Sequence, residues 1–284
     1  MSKIKVSELF YSIQGEGRYM GVPSIFLRTF GCNFTCDGFG MPKGERSNER
    51  NLVAARINEF RQYKDLPLVH SGCDSYASWD PRFKDLSPVL TTDSIVESIC
   101  TMLPHGHWES EHLVITGGEP LLGWQRSYPD LLEHPKMSGL KEITFETNGT
   151  QPLSTELYDY LNMAWLGSIR QPTQLTFSVS PKLSVSGQTR EEAICPDIVA
   201  HYETLGYTYL KFVVATEEDI KEVLEVKEMY RDAGFKGPVY VMPVGGVESV
   251  YNLNNKNVAL LAMKHGLRYS DRLQVPLFKN EWGT

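Results

Sequence analysis

Pro23-Ser24-Ile25-Phe26-Leu27-Arg28-Thr29-Phe30-Gly31-Cys32-Asn33-Phe34-Thr35-Cys36 is the stretch on which the fold turns. Its first half is a continuous apolar run, the pattern of a strand covered on both faces. Arg28 is the one charge inside it. Two thiols follow on a loop past the strand end, where they read as ligands better than as core residues. Just upstream lies Ser12-Ile13-Gln14-Gly15-Glu16-Gly17, and far downstream a second apolar run, Leu113-Val114-Ile115, ends in Thr116-Gly117-Gly118-Glu119-Pro120. Two glycines there let backbone approach a ligand closely, and Glu119 adds a carboxylate able to accept from an ammonium group.

Outward from this stretch, apolar β-branched runs alternate with helical periods. Strands are expected at Ser24–Thr29, His112–Ile115, Glu142–Phe145, Leu175–Val179, Tyr209–Val214 and Val239–Met242. Helices are expected near Asp93–Met102, Tyr128–His134, Ser154–Met163, Glu191–Thr204, Glu217–Ala233 and Asn255–His265. Six such units predict an α/β fold of parallel strands covered by helices. Cys32, Thr116-Gly117-Gly118, Glu146-Thr147-Asn148-Gly149 and Ser180-Pro181-Lys182 all follow the carboxyl end of a strand. Ligands collect at that edge in parallel α/β folds, so the four segments are expected to share one pocket. Each also has a plainer reading as a strand-end turn. No internal repeat breaks the chain, and one domain over residues 1–284 is expected.

With 284 residues, 41% hydrophobic and 22% charged, the composition is that of a globular protein. No apolar stretch reaches membrane-spanning length, and Met1-Ser2-Lys3-Ile4-Lys5 does not read as a signal peptide. The net charge of −7 argues against a broad nucleic-acid surface. Five cysteines, Cys32, Cys36, Cys73, Cys100 and Cys195, are odd in number and too sparse for a disulfide scaffold. A cytoplasmic location with free thiols is expected. Cys100 and Cys195 read as core residues. Residues 37–72 stand apart, with six basic and five acidic side chains. Val53, Ile57 and Phe60 share a helical face there, which suits a small docked subelement.

Cys32, Cys36 and the Gly-Gly-Glu-Pro turn together resemble the radical S-adenosylmethionine (SAM) enzymes. Gln14-Gly15-Glu16-Gly17 and Arg28 narrow the resemblance to the 7-carboxy-7-deazaguanine synthase family. In that family a third cysteine follows two residues after the second, but here position 39 is Phe. Past the insertion, Cys73-Asp74-Ser75 resembles the family's Cys-Asp-Ser/Thr, which makes Cys73 the third ligand. Closing the longer loop, 36 residues in place of two, costs about 2.5 kcal/mol. Thiolate–metal binding in small domains is worth on the order of 10 kcal/mol.

The resemblance implies a partial (β/α)6 barrel with a [4Fe-4S] cluster on Cys32, Cys36 and Cys73. It implies SAM contacts from Gly118, Glu119, Thr147, Asn148, Ser180, Pro181 and Lys182, with Met242-Pro243-Val244 near the adenine. Substrate contacts fall to Ile13, Gln14, Gly15, Glu16, Arg28, Thr116 and the terminal Thr284, and Mg²⁺ to Ser75. Gln274 stands where one branch of the family has His. The implied reaction starts with one electron passing from the cluster to SAM, giving methionine and a 5′-deoxyadenosyl radical. The radical takes hydrogen from C6 of 6-carboxy-5,6,7,8-tetrahydropterin, and the ring contracts with loss of ammonia. A flavodoxin- or ferredoxin-type reductant and a homodimer come with the resemblance, with no nucleic acid or membrane partner. Two alternatives stay open. Another radical SAM enzyme, such as a glycyl-radical activase, would share the thiols and Gly-Gly-Glu-Pro but not need Gln14, Glu16 and Arg28. A zinc-stapled binding protein would use Cys32, Cys36, Cys73 and His70.

Overall fold

The computed structural model describes residues 2–168 and 172–284, so of the polar start only Met1 lies outside the described residues. The strands are β1 (Lys3–Ile13), β2 (Pro23–Thr29), β3 (Val89–Thr91), β4 (His112–Gly117), β5 (Glu142–Thr147), β6 (Gln174–Val179), β7 (Tyr207–Val214), β8 (Val239–Pro243) and β9 (Arg268–Tyr269). They form one sheet in the order β3-β1-β2-β4-β5-β6-β7-β8-β9. From β2 to β9 every pairing is parallel. The six apolar runs of the sequence are β2 and β4 to β8, in the expected order, and the fold class is the expected α/β. Every residue of β4 is buried, as a strand covered on both faces requires.

Three strands, β1, β3 and β9, come in addition to the six expected from the sequence. β1 pairs antiparallel with β2 along nearly its whole length and with β3 at its start. Its end and the Gln-Gly-Glu-Gly turn lie at the amino end of β2, where Ile13 pairs with Pro23, and still line the same cavity as the β2 loop. Most helices fall where the periodicity puts them, with three differences. Pro196 breaks the expected 191–204 helix into Arg190–Ala193 and Pro196–Glu203, because proline has no amide to continue the ladder. The Ser154–Met163 helix is Thr155–Asp159 followed by a wider turn over Tyr160–Trp165. The last long helix begins earlier, at Glu248.

Residues 37–72 form short helical turns, Glu49–Ala54, Ile57–Glu59 and Tyr63–Asp65. Val53, Ile57 and Phe60 do not lie on one continuous helix, yet all three pack into a second apolar cluster distinct from the main core. The ends of the segment meet, since the Gly72 amide donates to the Phe39 carbonyl at 2.7 Å. Arg50 pins it further. Its guanidinium holds both oxygens of Asp37 at 3.0 and 2.8 Å, reaches Asp80 at 2.8 Å, and lies 4.8 Å over the Trp79 ring.

Candidate active site

The carboxyl ends of the parallel strands open into a cavity of about 250 Å³. Strand register explains what meets there. Arg28 of β2 pairs with Thr116 of β4, and Glu146 of β5 pairs with Ser178 of β6. The Thr116 hydroxyl donates to Glu146 at 3.1 Å, and the buried Gln14 amide donates to the other oxygen of Glu146 at 3.1 Å. The Gln14 side-chain oxygen in turn accepts from the Glu16 amide at 3.0 Å. Phe10 and Phe26 stack 4.9 Å apart on the same wall.

Glu16 is the centre of a buried charge network. It accepts from Lys211, from Arg272 at 3.2 Å and from Gln274 at 2.9 Å. Burial alone would raise its pKa, but the Lys211 and Arg272 charges outweigh that and hold it at about 2. Arg272 also holds Asp74 at 2.6 Å. Arg28 enters the cavity already paired, its Nε donating to Glu8 at 2.8 Å and one terminal nitrogen to the Ser75 hydroxyl at 3.1 Å. Ser75 donates to Asp74 at 3.3 Å. The Ser75 hydroxyl thus lies between the Arg28 guanidinium and the Asp74 carboxylate, which Glu8 and Arg272 hold in turn.

Cys32, Cys36 and Cys73 line this one cavity, while Cys100 and Cys195 do not. Burial pushes the Cys32 thiol up to about 12, Cys73 to about 11, and Cys36 well above its ordinary value. The Phe34 amide donates to Cys32 Sγ at 3.4 Å, and the Trp79 indole to Cys73 Sγ at 3.3 Å. Cys36 takes a left-handed backbone, φ 51°, that turns the loop. Among the described residues, no three His, Cys, Asp or Glu side chains close on a single ion. The four-ligand zinc set is not drawn together either, because His70 is exposed and its ring faces Glu49 at 3.5 Å. Three soft thiols lining one cavity are a donor set whose chemistry suits an iron–sulfur cluster.

The Gly-Gly-Glu-Pro turn packs directly on the cysteine loop. A Cβ on Gly118 would stand 2.4 Å from the Gly31 carbonyl and 2.8 Å from Cys32 Cβ, so only glycine fits. The Glu119 amide donates to the same Gly31 carbonyl at 2.7 Å. Gly118, Thr147, Asn148, Ser180 and Lys182 line the cavity, as do Met242 and Val244. Glu119 and Pro181 do not: both are buried behind the wall. The Glu119 carboxylate accepts from the Leu121 amide at 3.0 Å, the Thr147 hydroxyl at 2.8 Å and the Asn148 amide at 2.7 Å. Burial raises its pKa to about 6 against these bonds. Its observed partners tie the β4 turn to the β5 turn.

Ile13, Gln14, Gly15, Glu16, Arg28, Thr116, Ser75 and Thr284 all reach the cavity. Glu146, from the expected Glu146-Thr147-Asn148-Gly149 strand end, reaches it too, and so do Glu8, Lys211 and Arg272, which the sequence does not single out. Lys211 carries a visible signal, a lone cation inside the apolar run Tyr209–Val214.

The chain is similar over nearly all its length to several curated proteins. A 7-carboxy-7-deazaguanine synthase of Halobacterium salinarum is 29% identical, with 98% of this chain and 91% of that protein covered. One from Rhodopirellula baltica is 26% identical over 100% and 90%, and one from Pyrobaculum aerophilum 24% over 99% and 97%. This chain is similar, along nearly its whole length, to 7-carboxy-7-deazaguanine synthases. The crystal structure of QueE from Escherichia coli superposes with a TM-score of 0.55 at 19% identity, covering 95% of this chain and 94% of that one, which shows a shared fold. No family model matches the chain.

Proposed function

We propose that the chain is a radical SAM lyase that converts 6-carboxy-5,6,7,8-tetrahydropterin to 7-carboxy-7-deazaguanine with loss of ammonia. The observation that carries the reading is one cavity lined by three thiols, the Gly118 turn and a polar wall of Gln14, Glu16, Arg28 and Thr116. Cys32, Cys36 and Cys73 would hold a [4Fe-4S] cluster, with SAM against Gly118, Thr147, Asn148, Ser180 and Lys182. Glu119 would brace that wall from behind, and Pro181 would fix the Ser180–Lys182 bend. Bound together, cluster and SAM supply a 5′-deoxyadenosyl radical for hydrogen abstraction.

The chain's own side chains then bind and orient. Gln14 and Glu146 offer the alternating donors and acceptors that a pterin edge pairs with. Arg28, held on one side by Glu8, keeps a free nitrogen for the substrate carboxylate in a charge-assisted bond. Ser75, with Asp74 beside it, would give Mg²⁺ its protein oxygens near that carboxylate. Glu16 stays ionised and fixed between Lys211 and Arg272, so it can only accept. Ile13, Gly15 and Thr284 close the cavity around these groups.

The proposal includes one domain over 1–284 with the 37–72 insertion, a homodimer, a flavodoxin- or ferredoxin-type reductant and a cytoplasmic setting. Among the described residues no helix is long and apolar enough to cross a membrane. Anaerobic reconstitution tests the cofactor reading. The expected protein is brown, carries about four irons per chain, and cleaves SAM only when reduced. Stoichiometric zinc without iron in anaerobically purified protein overturns it.

A further inference from the structure

The ends of residues 37–72 belong to the cavity, but the middle of the segment faces elsewhere. Val53, Tyr63, Leu66 and Val69 join Tyr76 and Phe83 in the second apolar cluster. One residue from far along the chain packs into it. The Trp282 indole N–H donates to the Leu66 carbonyl at 2.7 Å, and its ring meets Tyr63 edge-on at 4.9 Å and Tyr76 at 6.1 Å. Edge-to-face aromatic pairs with a satisfied indole N–H make a specific, directional contact.

The residues around Trp282 are those that reach the substrate end of the cavity. Asn280, Glu281, Gly283 and Thr284 line it beside Trp282. The Gly283 amide faces the Glu8 carboxylate, the group that also holds Arg28. To get there the chain leaves the helix Gln274–Phe278 through Lys279 and Asn280, two non-glycine residues with φ of 56° and 57°. Such left-handed residues persist only where contacts on either side fix them. The Asn280 side chain donates to the Gly246 carbonyl at 2.7 Å, and Trp282 supplies the hold beyond it.

We propose that residues 37–72 are the seat for the C-terminal segment, and that Trp282 is a positioning residue. By filling this seat it holds residues 280–284 over the end of the cavity where Glu8 and Arg28 meet. The insertion would then act on substrate affinity at a distance from its own thiol-bearing ends. This rests on the reading of the cavity as a carboxypterin site.

The test uses the reconstituted full-length enzyme with Trp282→Ala, Trp282→Phe and, from the seat side, Tyr63→Ala. Trp282→Ala is expected to raise KM for the carboxypterin about tenfold or more while leaving KM for SAM within roughly twofold. Trp282→Phe keeps the ring contact without the N–H and is expected to fall between. Tyr63→Ala should match the direction of Trp282→Ala. Amide hydrogen exchange of residues 279–284 should speed up in both alanine variants, with or without cofactors. An unchanged carboxypterin KM, or unchanged exchange protection of 279–284 in Trp282→Ala, overturns the proposal. If the wild type turns over no carboxypterin, the functional reading fails by itself. The exchange comparison then still decides the seat, which stands if protection is lost and falls if it is kept.

Discussion

Arg28 sits in the cavity with one edge of its guanidinium committed to Glu8 and the other turned to Ser75. On the proposed reading, this preorganisation would let a substrate carboxylate meet a fixed donor with little rotamer freedom left to lose. Arg28→Ala is therefore expected to lower kcat/KM for the carboxypterin by about 2–3 kcal/mol, tens- to a hundredfold, with the cluster's visible spectrum intact. An unchanged rate at subsaturating substrate would remove Arg28 from the site. Glu16 gives a pH test. Its folded pKa of about 2 lies below the ordinary 4.5, so its pairing with Lys211 and Arg272 stabilises the fold fully above pH 4.5. That contribution fades as pH falls from 4.5 toward 2. Glu16→Gln, which strands two buried cations, should cost on the order of 3 kcal/mol at pH 7, and the gap to wild type should narrow across that acid window. A gap in denaturation midpoint that stays constant down to pH 2 would contradict the assignment. Gln14, Glu16 and Arg28 were picked out by the resemblance of Gln14-Gly15-Glu16-Gly17 and Arg28 to the synthase family, and all three line the cavity. Glu8 and Arg272 were not, since their meaning comes from partners brought close only by folding, 256 residues apart for Arg272 and Glu16.

At the scale of elements, the six strand–helix units were legible from apolar runs of strand length alternating with helical period. β1 was not, because its alternation at Ile4 and Val6 gives way to the unbroken Leu9-Phe10-Tyr11, so no single period marks it. The docked character of residues 37–72 was readable in Val53, Ile57 and Phe60, whereas its short turns and its contact with Trp282 were not. Joining Phe39 to Gly72 by a backbone bond brings Cys36 and Cys73 to one cavity despite the long loop between them. The account therefore expects Cys73→Ala to lose the SAM-competent cluster as fully as Cys32→Ala and Cys36→Ala. Cys100→Ala and Cys195→Ala should keep it, with at most a modest loss of packing stability. Iron content and reductive SAM cleavage across the five variants check this, and a Cys73→Ala protein with normal values of both would move the third ligand elsewhere.

The whole molecule gathers its polar and thiol groups in one cavity. Strand ends bring the thiols, the Gly118 turn and Glu146 there, Lys211 comes from within β7 and Glu16 from the turn after β1, and residues 280–284 line it as well. No single motif requires this convergence, since each could serve as a turn, and it is the shared cavity that turns separate signals into one site. On the proposed reading the cavity would pair a cluster-binding wall with a wall for a carboxylated pterin, so the two should act on the same substrate in one turnover. The most direct test is anaerobic incubation of the reconstituted protein with SAM, reductant, Mg²⁺ and 6-carboxy-5,6,7,8-tetrahydropterin, with the product identified by mass. The account predicts 7-carboxy-7-deazaguanine with release of ammonia. Intact carboxypterin from a protein that carries its cluster and cleaves SAM would contradict it.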